Sequence, residues 1–341
     1  MDPVFLSIGP LELRWYGVLI AAGIVLGAVW AVRAARSRGL DPEWMLDTAP
    51  WAVVAGVVGA RLVYVLTSPA AYFGPGGSPL NAFAVWEGGL SIHGAVGAVI
   101  AVFVWRARAQ GRNVWRYLDV MMPVMALSII GGRLGNFMNG TDSGGRLTEL
   151  GIGFTWPEPG TPTLGAFGRL VFGEPLWMHA PPACRAPFAA GEACVLHLTP
   201  IYGALIGLAL LGVIVWVQAR SRKHGAVLLH SLIWYSVLRS VFEEPFRDNP
   251  LVWNAYLNES AGIGLFTATQ LASVVVIGVA WWLLWRRPLK SEEPDEEPAP
   301  EAARSDRQAR SGRPKGGVRA AARREAERKG AKRAGRQRSR P

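Results

Sequence analysis

The stretch Leu118-Asp119-Val120-Met121-Met122-Pro123-Val124-Met125-Ala126-Leu127-Ser128-Ile129-Ile130-Gly131-Gly132-Arg133-Leu134-Gly135-Asn136-Phe137-Met138-Asn139-Gly140 runs from an apolar segment into a glycine-rich end. Read as the close of a membrane-spanning helix, it sets Arg133 and Asn136 at or just inside a bilayer boundary, with Asn139 nearby. A guanidinium there costs roughly 2.5–3.5 kcal/mol on insertion scales. It persists where an anion offsets that cost, and at this depth the obvious anion is a lipid phosphate. Gly131, Gly132 and Gly135 leave the backbone open to a flat anionic headgroup. Two plainer readings stand beside this one: the glycines let helices pack closely, and Arg133 snorkels to water.

Outward from that stretch, the chain is not composed like a water-soluble globule. Of its 341 residues half are apolar, and 15 are tryptophan. A bilayer core needs about 20 apolar residues per helix. Seven stretches approach that: Leu11–Val32, Ala49–Leu66, Leu90–Trp105, Leu118–Gly135, Pro200–Val217, Ala226–Phe242 and Ile263–Trp285. The pattern predicts an all-α polytopic membrane protein of about seven spanning helices. The first stretch is too long and too lightly charged at its start for a cleaved leader, and no small-residue cleavage site follows it. It is expected to stay in the membrane.

Much of the formal net charge of +11 lies after Arg286. There an acidic, proline-rich piece (Ser291–Glu301) gives way to Arg, Lys, Ala and Gly up to Pro341. Such sequence buries no core and is expected to be disordered. Attraction to an anionic membrane face, or the setting of topology, accounts for this tail better than nucleic-acid binding does. No nucleic-acid partner is expected.

The loops alternate in charge. Arg33, Arg36 and Arg38 follow the first span, while Ser68 to Gly89 holds no Lys or Arg. Arg106, Arg108, Arg112 and Arg116 follow the third span, and Arg220, Arg222 and Lys223 the fifth. By the positive-inside rule the N-terminus is outside and the tail cytoplasmic. On that map Tyr16, Arg61, His93, Arg133, Asn136, Tyr202, Tyr235, Arg239, Glu243 and Gln270 all fall toward the outer half. A pump or channel would carry polar groups through the full depth. A one-sided cluster points instead to chemistry or binding on an outer-leaflet lipid.

Residues 141–197 read as a small irregular or β cap outside the membrane, with strand-like pieces at Ile152–Trp156 and Leu170–Phe172. Cys184 and Cys194, the only 2 cysteines, form either a disulfide or two separate thiols. No Ser-His-Asp arrangement, phosphate-cradling loop or metal-ligand cluster is legible. Serine-type hydrolysis, ATP chemistry and metal catalysis are poor fits, and neither metal nor cofactor is expected.

Among the polar residues, His93 at a helix start is either structural or a base able to take a proton near neutral pH. Tyr235, Arg239 and Glu243 sit at i, i+4 and i+8 and would share a helical face. Arg239 with Glu243 is either a plain ion pair or a carboxylate orienting a guanidinium fork for a phosphodiester. Arg133 and Arg239, arriving from different helices, would stabilise charge developing on a departing phosphate.

Gly132-Arg133-Leu134-Gly135-Asn136-Phe137-Met138-Asn139-Gly140, followed by Gly145-Arg146, resembles the signature of bacterial prolipoprotein diacylglyceryl transferases. So do, in order, Arg14-Trp15-Tyr16-Gly17, Gly59-Ala60-Arg61-Leu62-Val63-Tyr64, Trp86 to Gly94, His197 to Tyr202, Tyr235 to Glu243, and Thr267 to Leu271. The resemblance covers about residues 5–287. It implies an integral enzyme of the bacterial plasma (inner) membrane. Such an enzyme moves the diacylglyceryl group of phosphatidylglycerol to the lipobox cysteine of a preprolipoprotein signal peptide, without cofactor or metal. The products are a thioether-linked lipid and glycerol 1-phosphate. It carries over Tyr16, His93, Arg133, Asn136, Gly145 and Arg239 as essential positions, with Glu243 in support. Arg61 and Tyr235 join Arg133, Asn136, Gly145 and Arg239 as candidate phosphatidylglycerol contacts. Two departures stand out. The segment Thr141–Arg146 is one residue longer than usual, so Gly144 competes with Gly145. Leu198 and Gly203 replace the usual Pro and Glu.

The expected organisation is four spans with outer-facing site residues (1–140), an external cap (141–197), three further spans (198–287) and a disordered, charged cytoplasmic tail (288–341). A phospholipid-binding transporter or flippase without chemistry, and a non-catalytic scaffold, are the rival readings.

Overall fold

Small residues recur at every fourth position along the first long helix, Trp15–Ser37: Gly23, Gly27, Ala31 and Ala35 are buried, whereas Val25, Leu26 and Val29 are exposed. Small inside and large apolar outside is the arrangement helices adopt when the surroundings are lipid. A computed structural model describes residues 4–8, 11–85, 88–139, 145–156 and 182–286. Its helices are α1 (Trp15–Ser37), α2 (Pro42–Thr67), α3 (Pro69–Phe73), α4 (Ile92–Ala109), α5 (Val114–Asn139), α6 (Arg185–Ala189), α7 (Thr199–Arg220), α8 (Ala226–Phe242) and α9 (Ala268–Arg286).

α1 lies antiparallel on α5, α2 on α4, α7 on both α5 and α8, and α9 on α8. The backbones approach so closely that no Cβ fits at Gly23, beside the Leu127 carbonyl, or at Gly131, beside that of Leu19. Gly59 and Gly94 meet in the same way between α2 and α4. The helix-packing reading of the glycines is therefore the one the structure realises at Gly131. Away from the cap, one core joins Ala31, Ala35, Trp44, Phe103, Tyr117 and Val120, and another joins Met122, Ala126, Leu210, Ile214 and Val227. Asp119 fastens the second: its carboxylate accepts from the N–H groups of Gly225 (2.7 Å) and Leu228 (2.8 Å). Those are unsatisfied donors at the start of α8, where the helix dipole favours an anion.

Among the described residues six helices, all the long ones except α8, are long and apolar enough to cross a membrane. α8 has 17 residues and packs between α7 and α9, so the count of seven spans is approximate. Both outermost spans begin later than hydropathy indicates. Leu11–Arg14 is strand β2, paired with β1 (Val4–Ile8), and Ile263–Thr267 is strand β6, paired with β5 (Leu251–Asn258). Each hairpin runs directly into a spanning helix. In the cap, β3 (Phe154–Trp156) pairs with β4 (Cys194–Leu196), realising part of the expected Ile152–Trp156 strand. Cys184 and Cys194 are joined in a disulfide, which packs with Trp156 and Leu196. The expected strand at Leu170–Phe172, the alternative glycine Gly144 and the tail 288–341 lie outside the described residues.

Candidate active site

α8 stops because of Pro245. A proline has no N–H for the i−4 carbonyl, here that of Val241, and its ring clashes with that carbonyl; two residues before it, Glu243 leaves helical geometry at φ −126° and ψ −53°. A 3-10 turn, Glu244–Phe246, follows. The two consecutive glutamates therefore point to different partners. Glu243 Oε1 lies 2.6 Å from Arg133 Nη2 and 3.2 Å from Arg247 Nη1. Glu244 Oε2 lies 3.5 Å from Arg239 Nε. Its Oε1 accepts from Asn249 Nδ2 (2.6 Å) and Thr267 Oγ1 (3.1 Å). Arg239 Nη1 donates to the Tyr235 hydroxyl at 2.9 Å. Glu243 is 1% exposed and Glu244 0%, and carboxylates so buried require partners of this kind.

This corrects the sequence expectation in one respect. Arg239 and Tyr235 do meet across one turn, but Glu243 bonds Arg133 and Arg247 rather than Arg239. Arg133 comes from α5 and Arg239 from α8, so the adjacent glutamates tie the two helices' arginines into one cluster. Arg146 completes it: its N–H donates to the Phe246 carbonyl at 2.8 Å, its guanidinium to the Asn249 carbonyl, and it lies 5.5 Å from the Tyr256 ring centre. Arg133, Arg146, Arg239 and Arg247 thus face two buried carboxylates and the partly exposed Asp248, 4.0 Å from Arg146. The cluster keeps a positive surplus, and an anion suits it.

Two glycines make the cluster possible. Gly145 forms an antiparallel bridge with Arg247, and a Cβ there would fall on the His197 carbonyl. Gly203 of α7 lies under Arg133, where a Cβ would stand 2.7 Å from its Nε. Next to Gly145, the buried His197 donates from Nε2 to the Ala261 carbonyl at 2.8 Å. Nδ1 is then left to accept from the Tyr202 hydroxyl at 3.2 Å. Burial holds the His197 pKa below the usual imidazole value, with the Ala261 bond pulling weakly the other way.

Tyr16 opens α1 and packs on Gly135, where a Cβ would stand 2.8 Å from the Tyr16 Cα. Asn136, half-buried, is three residues past Arg133 on α5, close to the same face. The Arg61 guanidinium donates to the carbonyls of Asn81, Ala82, Gly88 and Gly89 and packs 5.2 Å from the Tyr72 ring centre. These bonds hold the loop before α4. His93, in the first turn of α4, is exposed. Among the described residues no contact joins it to Arg133 or Arg239. Glu244, Arg247 and Asn249 escaped sequence reasoning as site residues, and Gly203 stood out only as a departure from the family's pattern. The Glu-Glu-Pro run was the available signal, because a proline there ends the helix before Glu243 can fill an i+4 position. A groove of about 250 Å³ opens along α9, lined by Ser240, Phe266, Gln270 and Val274 among others.

Fold and site together define a multi-pass membrane protein with paired arginines, from separate helices, gathered at the cap end of the bundle. Residues 3–286 match the family model of the prolipoprotein diacylglyceryl transferases, and the chain belongs to that family of transferases. It is 44% identical over 289 residues to a phosphatidylglycerol–prolipoprotein diacylglyceryl transferase of Thermus thermophilus, covering 82% of this chain and 96% of the relative. A protein of the same description from Deinococcus radiodurans is 38% identical over 308 residues, covering 84% and 85% respectively. One from a Thermoanaerobacter species is 30% identical over 286 residues, covering 84% and 94%.

Proposed function

We propose that this transferase uses phosphatidylglycerol as donor and the thiol of a preprolipoprotein's lipobox cysteine as acceptor, in the bacterial plasma (inner) membrane, with the N-terminus outside and the C-terminus cytoplasmic. The thiolate sulfur attacks the carbon of the diacylglyceryl group that bears the phosphate ester oxygen. A C–S bond forms as that C–O bond breaks, and the electron pair leaves on the phosphate of glycerol 1-phosphate. The observation that carries this reading is the surplus of guanidinium charge around Arg133 and Arg239. A phosphodiester becoming a monoester gains negative charge at the leaving group, and preorganised donors aimed there lower the barrier. The nucleophile belongs to the substrate, so the enzyme needs no free cysteine, and its own two are tied together.

Tyr16, Asn136 and Gly145 flank the arginines as contacts or supports for the lipid. His93, exposed on α4, receives the thiol proton from the peptide bound between it and the arginines. His93→Gln is expected to lower turnover while leaving the affinity for phosphatidylglycerol nearly unchanged; unaltered turnover removes His93 from the mechanism. For the function itself, the purified chain is given phosphatidylglycerol and a lipobox peptide. Release of glycerol phosphate with lipid added to the peptide is expected. Redistribution of lipid without glycerol phosphate would mean a transporter instead.

A further inference from the structure

Arg239 is hydrogen-bonded on one side and charge-paired on another before any lipid arrives. Nη1 is bonded to Tyr235 and Nε faces Glu244, while among the described residues no group takes Nη2. Glu244 is itself fixed by a closed ring of contacts. Its Oε1 accepts from Thr267 Oγ1, and that oxygen accepts the Gln270 N–H at 3.2 Å. Gln270 Nε2 returns to the carbonyl of Ser240 at 2.9 Å, the neighbour of Arg239. The Thr267 N–H closes onto Gln270 Oε1 at 3.0 Å, and Asn249 holds Glu244 from the opposite loop. A carboxylate with 0% exposure, triangulated by α8, the following loop and the start of α9, is a fixed reference for whatever it touches.

We propose that Glu244 is a positioning residue for the transfer, turning Arg239 so that its Nη2 edge meets the lipid phosphate. Glu243 does not fill this role because Arg133 and Arg247 share its oxygen. An arginine fork grips a phosphate through two parallel bonds only when its plane is correctly set. Misplacement of a catalytic group by an ångström is felt as rate rather than as affinity. The inference rests on the transfer reaction above.

The experiment measures kcat, KM for phosphatidylglycerol and Tm of Glu244→Gln in the full chain, alone and combined with Arg239→Lys. Glutamine keeps the volume and an acceptor for Asn249 and Thr267 but removes the charge facing Nε. The single variant is expected to lose roughly 10- to 100-fold in kcat per folded enzyme, with a smaller change in KM. In the Arg239→Lys background, where no Nε fork remains to be set, it is expected to cost nothing further. A merely structural Glu244 would cost the same in both backgrounds, and that equality, or a kcat within about twofold of wild type, overturns the inference. Should Glu244→Gln not fold, Thr267→Val loosens the carboxylate without touching its charge and is expected to lower kcat roughly tenfold; an unchanged kcat there is equally fatal. If wild type itself releases no glycerol phosphate, the reaction assignment fails instead.

Discussion

At Arg133 the decisive neighbour is a residue without a side chain. The three atoms nearest a Cβ built on Gly203 are Arg133 Nε, Cδ and Cγ, at 2.7, 2.8 and 2.9 Å. These lie midway along the side chain, so a methyl group must push Arg133 off Glu243. Gly203→Ala is therefore expected to cut turnover roughly tenfold or more. In an Arg133→Ala background the same change is expected to raise Tm, because alanine is better than glycine in a helix by about 0.5–1 kcal/mol. A lowered Tm in that background would show that something other than Arg133 fills the space. The resemblance places a glutamate at this position in the family; here the carboxylate facing Arg133 is that of Glu243, the residue that caps the end of α8. His197 gives a second residue-scale expectation. Burial favours its neutral form, so its folded pKa lies below the unfolded value of about 6.5. The unfolded state then binds the proton more readily, and stability is complete above about pH 6.5 and lost as pH falls through the depressed folded value. Between pH 7.5 and pH 5.5, Tm should fall further in wild type than in His197→Gln. Arg133 and Arg239 were legible because a charge at the end of an apolar run must be explained. Glu244 was not, because its partners Asn249 and Thr267 come together only after the chain turns back.

For the helices, hydropathy located the spanning segments and mistook some of their ends. Ile263–Thr267 is as apolar as the helix it enters, and an apolar run of five residues does not distinguish strand from helix, whereas Leu11-Glu12-Leu13-Arg14 alternates apolar and charged residues, the period of a strand. The glycines admitted two meanings, and only the packing partner decides between them. Gly131 meets the backbone of Leu19, and Gly135 meets Tyr16, so both serve the α1–α5 seam and through it the placement of Tyr16 against the end of α5. Gly131→Ala would set a methyl group against a carbonyl that cannot rotate away. The two helices must part, at a cost of about 1–3 kcal/mol, seen as a lower Tm; an unchanged Tm would mean the seam is looser than described. Arg61 shows a related ambiguity. A cation in an apolar helix looks like a ligand contact until its acceptors are known, and here they are carbonyls of a loop some twenty residues downstream.

On the scale of the whole molecule, the site lies at the same end as the disulfide-bonded cap, and the basic loops lie at the other. Antiparallel packing of α1 on α5, α2 on α4, α5 on α7 and α8 on α9 makes this a single geometric statement. If one loop is outside, every arginine of the cluster is at the outer end. The charge alternation that predicts this orientation could be read from the sequence because it needs no tertiary contact, only the order of spans and loops. The cysteines make it testable without altering the site. Both are in the disulfide and no free thiol remains among the described residues, so a single introduced cysteine is the reactive one. Glu192, exposed in the cap, and Gln110, exposed between α4 and α5, lie on opposite sides in the proposed orientation. In intact cells stripped of any outer barrier, a membrane-impermeant maleimide is expected to label Glu192→Cys at once. It should reach Gln110→Cys only after the membrane is opened. The reverse pattern would put the arginine cluster in the cytoplasm, on the wrong side for a lipobox cysteine at the outer face. Labelling of both without lysis would mean that the helices do not span.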